Sequence, residues 1–159
     1  MIIYLAGPLF SLAERRFNEE FAKALEQSFL PSMVILPQDH AAKIGEAAGF
    51  SERMYTFALD AINHSDVVVA ILDGADSDSG TCIEIGYAKA KGKKVVGVRT
   101  DFRSGEDRGV NLMVANICTH LVIRRSTTIS LEELAEEVAN TLSGGKAAVS
   151  ADAGGLAIA

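Results

Sequence analysis

Between Asp66 and Gly74 the chain reads DVVVAILDG, and no residue from Val67 to Leu72 is polar. A strand with one wet face alternates apolar and polar side chains. A β-branched run that is apolar at every position must be covered on both sides, which is the condition of a parallel strand between two helical layers. Ile2–Ala6, residues 33–37, Lys94–Arg99 and His120–Ile123 are further strand candidates beside residues 66–72.

The segments between these runs change period. Phe17, Phe21, Leu25 and Phe29 recur every four residues, one face of a helix. Tyr55, Leu59 and Ile62 mark a second helix, and Ile83, Tyr87 and Ala90 a third. In the last, Ser130 and Glu133 have capping-box spacing, Leu131, Leu134, Val138 and Leu142 form the stripe, and Gly144–Gly145 stop it. Strand and helix in alternation predict an α/β fold. It is doubly wound, flavodoxin-like or Rossmann-like, with a five-stranded, mainly parallel sheet and helices on both faces. Residues 1–143 are expected to form one domain and 144–159 an Ala/Gly-rich mobile tail. The connection QDHAAKIGEAAGF is long enough to act as a lid.

In such a sheet ligands bind beyond the carboxyl ends of the strands. That places Ala6–Phe10, Gln38–His40, Asp73–Glu84 and Thr100–Arg103 on one rim. With a net charge of −6 and no Lys/Arg block, the chain is not built to bind a nucleic-acid polymer through its phosphates. A small nucleoside remains open. No apolar run reaches the roughly 18 to 20 residues that span a bilayer. MIIYLAGPLF reads as a first strand rather than a signal peptide. Cys82 and Cys118 match no metal spacing, and a reduced, cytoplasmic setting is the expectation.

The rim segment GADSDSGT lacks the Walker spacing, and AGP after the first strand is not a G-x-G-x-x-G turn. Neither nucleotide-cofactor signature is present. Glu84 has two readings. With Thr81 it has the spacing of a capping box, a structural role. Alternatively, with Asp76, Asp78 and the small Gly80 ahead of it and Tyr4 on the adjacent strand, it is a nucleophile. On that reading the helix dipole keeps Glu84 ionised while a crowded neighbouring carboxyl keeps its proton. Two carboxyls divided in this way suit retaining glycoside chemistry.

IYLAGPLFS, DVVVAILDGADSDSGTCIEIGYAKAKGKKVVGVRTDFR and VNLM together resemble the nucleoside 2-deoxyribosyltransferases, over roughly residues 1 to 142. The combination is specific, whereas each motif alone is weak. The resemblance implies base exchange on 2′-deoxyribonucleosides, with small-molecule nucleosides and nucleobases as partners and no metal or redox cofactor. It implies Glu84 as the nucleophile, Asp78 as a carboxylate on the sugar hydroxyls, and Tyr4 as the phenol that orients Glu84. It implies that Asn111 and Met113 complete a neighbouring subunit's site, so that the protein is a homo-oligomer with shared sites.

One position departs from the pattern. The family's acid/base Asp or Asn falls eight residues before the strand's Asp66, and here that residue is Ala58. Asp60 is the nearest carboxylate, but two residues along a helix is about 200° of rotation. Either the helix is shifted and Asp60 is the acid, or Asp60 is solvated and Asp78, Asp76 or water protonates the base. Phe10 and Phe50 are candidates to stack on a base, and Gln38 to read its edge. Arg99 and Arg103 are expected to bracket Asp101, or else to reach a substrate phosphate. A hydrolase of the same type, acting on a nucleoside or its 5′-monophosphate, shares the chemistry until water replaces the second base. A non-catalytic nucleotide-sensing module is the reading from another class.

Overall fold

A computed structural model of the chain describes residues 1–45, 48–103 and 109–144. The tail expected to be mobile lies, from residue 145 onward, outside the described residues. Five strands, β1 (Ile2–Ala6), β2 (Met33–Ile35), β3 (Val67–Ile71), β4 (Lys94–Arg99) and β5 (His120–Ile123), form one sheet in the order β2-β1-β3-β4-β5. Every pairing is parallel. This is the flavodoxin-like doubly wound order, whose switch point lies between β1 and β3.

The period of two along each strand divides the core. Ile3, Leu5, Val67, Val69, Ile71, Val96 and Val98 face one way and pack with Phe21 and Leu25 of α1 (Leu12–Ser28) and Leu134 and Val138 of α6 (Leu131–Leu142). Tyr4, Ala6, Val68, Ala70, Leu72 and Val95 face the other way. They meet Ala61 and Ile62 of α3 (Phe50–His64), Ile85 and Ala88 of α4 (Ser79–Ala90), and Val114 of α5 (Leu112–Ile117). Val67 to Leu72 are all at most 4% exposed, the two-sided burial that their composition demands.

Two boundaries differ from the sequence expectation. The second strand stops at Ile35, and Pro37 opens a helix, α2 (Pro37–Ile44). Proline fits the first helical position because its missing N–H has no partner there in any case. Much of the supposed lid is therefore helix, docked on α3 by a parallel stack of His40 on Phe57 with ring centroids 3.9 Å apart. The second difference is the start of α4. Asp78, not Thr81, is its N-cap, accepting the Thr81 N–H at 2.8 Å and the Thr81 hydroxyl at 3.1 Å. Ser130 and Glu133 do form the expected reciprocal box at α6. Cys82 and Cys118 are free thiols packed against the α3/α4 side of the core. No helix among the described residues is long and apolar enough to cross a membrane.

Candidate active site

Because α4 starts at Ser79, Glu84 stands in its second turn, beyond reach of the capping position. Thr81, Ile85 and Ala88 are its buried residues, and Glu84 shares their face by helical spacing. Its carboxylate is thus turned toward the sheet. Tyr4 lies on the same side of β1, one strand away from the β3 end that feeds α4. The two side chains meet: the Tyr4 hydroxyl donates to Glu84 Oε1 at 2.6 Å.

Burial governs the electrostatics of this pair. It pushes the Glu84 carboxyl up to about 7, against the lowering effect of the Tyr4 hydrogen bond, with the charge of Asp78 adding to the rise. The dipole effect expected from a first-turn carboxylate does not decide its state. Tyr4 is raised further, by burial first and then by the Glu84 charge and hydrogen bond, so the phenol remains the donor.

The loop between β3 and α4 brings in the remaining carboxylates. Asp78 is fixed by its cap to Thr81, and Gly80 is small for a local reason: a Cβ there would lie 3.1 Å from Asp78 Oδ2. Asp76 is exposed and accepts the Ser77 N–H at 2.9 Å. The base of the loop is laced to the end of β4. Asp73 accepts the Thr100 N–H and hydroxyl at 2.6 and 2.5 Å and the Asp101 N–H at 3.0 Å, while Asp101 accepts the Gly74 N–H at 3.0 Å. Sequence reasoning missed this lacing. Its only signal was an acidic residue at the end of each strand.

Other candidates fall in several places. Phe10 projects from the β1–α1 loop, 75% exposed, and Arg15 donates to the carbonyls of Leu9 and Phe10 beneath it. Gln38 is engaged within the fold, donating to the Arg15 carbonyl at 2.9 Å and accepting from Asn18 at 3.3 Å. Phe50 opens α3 and is partly exposed. Asn111 caps α5 by accepting the Met113 N–H at 2.9 Å, and Met113 is 64% exposed. Asp60 is exposed and lines a groove between α2 and α3 with His40, Arg53 and Phe57. Ala58, by contrast, packs toward the Tyr4 side of the core. Ala58 and Asp60 thus lie on different faces of α3.

Arg103 pairs with Asp101 through its guanidinium, and this contact holds the Asp101 carboxyl well below the usual carboxylate range. Arg99 does not share that pair. It is buried and donates to backbone carbonyls instead. Among the described residues no group of three or more His, Cys, Asp or Glu is arranged to hold a metal ion.

A parallel α/β sheet that brings a strand phenol and a buried helix glutamate together near its carboxyl ends defines a class. It is that of doubly wound α/β proteins, in which ligands bind beyond the carboxyl ends of the strands at the switch point. The chain belongs to the nucleoside 2-deoxyribosyltransferase family, whose sequence model matches residues 3–113. It is similar to a conserved protein from Enterococcus faecalis V583, at 31% identity and a TM-score of 0.72, over 89% of this chain and 98% of the other. A 2-deoxyribosyltransferase from Bacillus psychrosaccharolyticus superposes with a TM-score of 0.64 at 20% identity, over 84% of this chain and 96% of its own. A CMP N-glycosidase from Clostridium botulinum does so with a TM-score of 0.58 at 19% identity, over 87% and 98%. At those last two identities the likeness is one of fold. Comparison with curated proteins gave no match.

Proposed function

We propose that this protein is a nucleoside 2-deoxyribosyltransferase, exchanging the base of a 2′-deoxyribonucleoside with retention. The observation that carries the reading is the 2.6 Å hydrogen bond from Tyr4 to Glu84. It leaves one lone-pair direction of the carboxylate engaged and aims the other oxygen. In the forward half-reaction Glu84 attacks C1′ as the C1′–N bond breaks, giving a deoxyribosyl-glutamate ester and a base that takes up a proton. A second base then attacks C1′ from the face the first one left, returning its ring N–H proton to the group that protonated the first base, and the carboxylate is released. Two inversions give net retention.

Asp78 has the place of a sugar-hydroxyl acceptor, close enough in charge to raise Glu84. With Asp60 on the exposed face of α3, protonation of the leaving base falls to Asp78, Asp76 or water. Phe10 is the candidate to stack on the base. No metal or redox cofactor enters this scheme, the substrates are nucleosides and nucleobases, and Asn111 and Met113 serve the site of a neighbouring copy in a homo-oligomer.

The test is incubation with 2′-deoxyinosine or thymidine, with and without adenine, followed by chromatography. New deoxyadenosine supports the transferase. Free base and deoxyribose irrespective of adenine would make the protein an N-glycosidase. No turnover of either substrate, and no sugar adduct on Glu84 by mass spectrometry, would leave a binding module.

A further inference from the structure

Arg99 ends β4 and is 1% exposed, the largest fully buried side chain among the described residues. A buried guanidinium is ordinarily compensated by a carboxylate, because an uncompensated charge in the interior is costly. Here every hydrogen bond it makes goes to a backbone carbonyl. Nη1 donates to Leu72, and Nη2 donates to Gly74 and to Arg103, both at 3.0 Å. Nε is buried without a partner. Gly109 closes over that edge. A Cβ at Gly109 would stand 3.0 Å from Nε, 3.2 Å from Nη2 and 2.7 Å from the Arg103 carbonyl, and its φ of +89° also favours glycine.

Each of these segments leads to a rim residue. Leu72–Gly74 runs into Asp76, the Asp78 cap and α4 with Glu84. Gly109 runs through Val110 into Asn111 and α5. We propose that Arg99 is a positioning residue: its planar guanidinium sets the distance between the nucleophile's loop and the Asn111–Met113 segment. The inference rests on the reading of Glu84, Asp78 and Asn111 as site residues. The physical case is that a rigid fork fixes both distance and direction to several acceptors at once, which a lysine ammonium on a flexible stem does not. The Asp73–Thr100 and Asp101–Gly74 contacts join only two of the three segments. Gly109 of the third lies against the Arg99 guanidinium, while Val110 and Val114 beyond it join Leu72 and Ile85 only through non-directional apolar packing.

The test uses the full chain with Arg99→Met and Arg99→Lys, read by hydrogen exchange and by base-exchange kinetics. The amides to follow are Gly74 and Thr81 in the first segment and Met113 and Ala115 in the second, with Leu134 of α6 as reference. Both variants are expected to lose protection in both segments together, by about tenfold or more, with Leu134 unchanged. The kcat should fall about tenfold with KM changing less, because alignment rather than binding is lost. Loosening of one segment only, equal loosening at Leu134, or full kcat in Arg99→Lys would overturn the role. So would failure of both variants to fold, which would make Arg99 a plain core residue. The hydrogen-exchange arm needs no turnover. If the wild-type chain exchanged no bases, the functional reading would fall while the coupling of the two segments was still decided.

Discussion

The hydroxyl of Tyr4 donates to Glu84 across 80 positions of sequence, from the third residue of β1 to the second turn of α4. The bond lowers the Glu84 carboxyl while burial raises it, and burial prevails, leaving it at about 7. The carboxylate is therefore poised near neutrality rather than fully ionised.

That position has a consequence for Glu84→Gln. An unfolded Glu titrates near 4.3, so between about 4.3 and 7 the folded state binds more protons than the unfolded one. Stability from this group is present below about 4.3 and is lost as pH rises through 7. The amide cannot ionise, so Glu84→Gln should be more stable than wild type at pH 8 by about 1–3 kcal/mol and nearly equal at pH 4. Urea unfolding at the two pH values measures this. The same variant should exchange no bases, because the nucleophile is gone.

For Tyr4→Phe the expected loss is that of a hydrogen bond to a charged group, about 1.5–3 kcal/mol, or roughly ten- to hundredfold in rate. Removing the bond also removes a lowering influence on Glu84. The acid limb of kcat/KM, set in wild type near 7, should move to higher pH in the variant. A reduced rate with an unmoved limb would assign Tyr4 to packing.

The rim should prefer nucleosides to their 5′-monophosphates. Asp73, Asp76, Asp78 and Asp101 line it, Arg103 is held by Asp101, and Arg99 is buried on carbonyls. A phosphate dianion would enter a negative field without an available arginine from this pair. Competition between thymidine and thymidine 5′-monophosphate, read as kcat/KM, tests the preference. Faster turnover of the monophosphate would reverse it.

If Asn111 and Met113 serve a neighbour, a mixture of Asn111→Ala and Glu84→Ala chains should recover activity on co-assembly. One site then draws an intact residue from each chain. Absence of recovery in mixed oligomers verified by sedimentation would confine the site to one chain. The exposure of Leu112 and Met113, at 54% and 64%, gives α5 an apolar edge suited to such a contact.

The centre of the sheet was readable because β3 and β4 are apolar on both faces, so Val67–Ile71 and Lys94–Arg99 could be placed with little ambiguity. The start of α4 was harder. Thr81-x-x-Glu84 and Asp78-x-x-Thr81 both satisfy a capping pattern, and only the length of the loop leaving β3 decides between them. Glu84 could be singled out from its acidic neighbours and from the family resemblance. Its partnership with Tyr4 needed the register of β1 on β3 and the buried face of α4. Asp60 illustrates the reverse, since its chemistry does not reveal that its side of α3 faces the groove with His40 and Arg53. The part played by Arg99 left no trace in composition, because its acceptors are carbonyls that every residue carries.

Asp78 closes the first turn of α4 with the same Oδ2 that receives both Thr81 groups. A side chain employed in this way is not free to drift. Replacement by a residue without a capping oxygen would cost about 1 kcal/mol of helix stability besides any effect on the sugar. Laboratory selection for altered sugar tolerance should therefore find its solutions at position 78 among Asn, Ser and Thr, and look elsewhere for larger changes. If Asp78 holds the sugar as proposed, selectivity and the footing of α4 are inherited together.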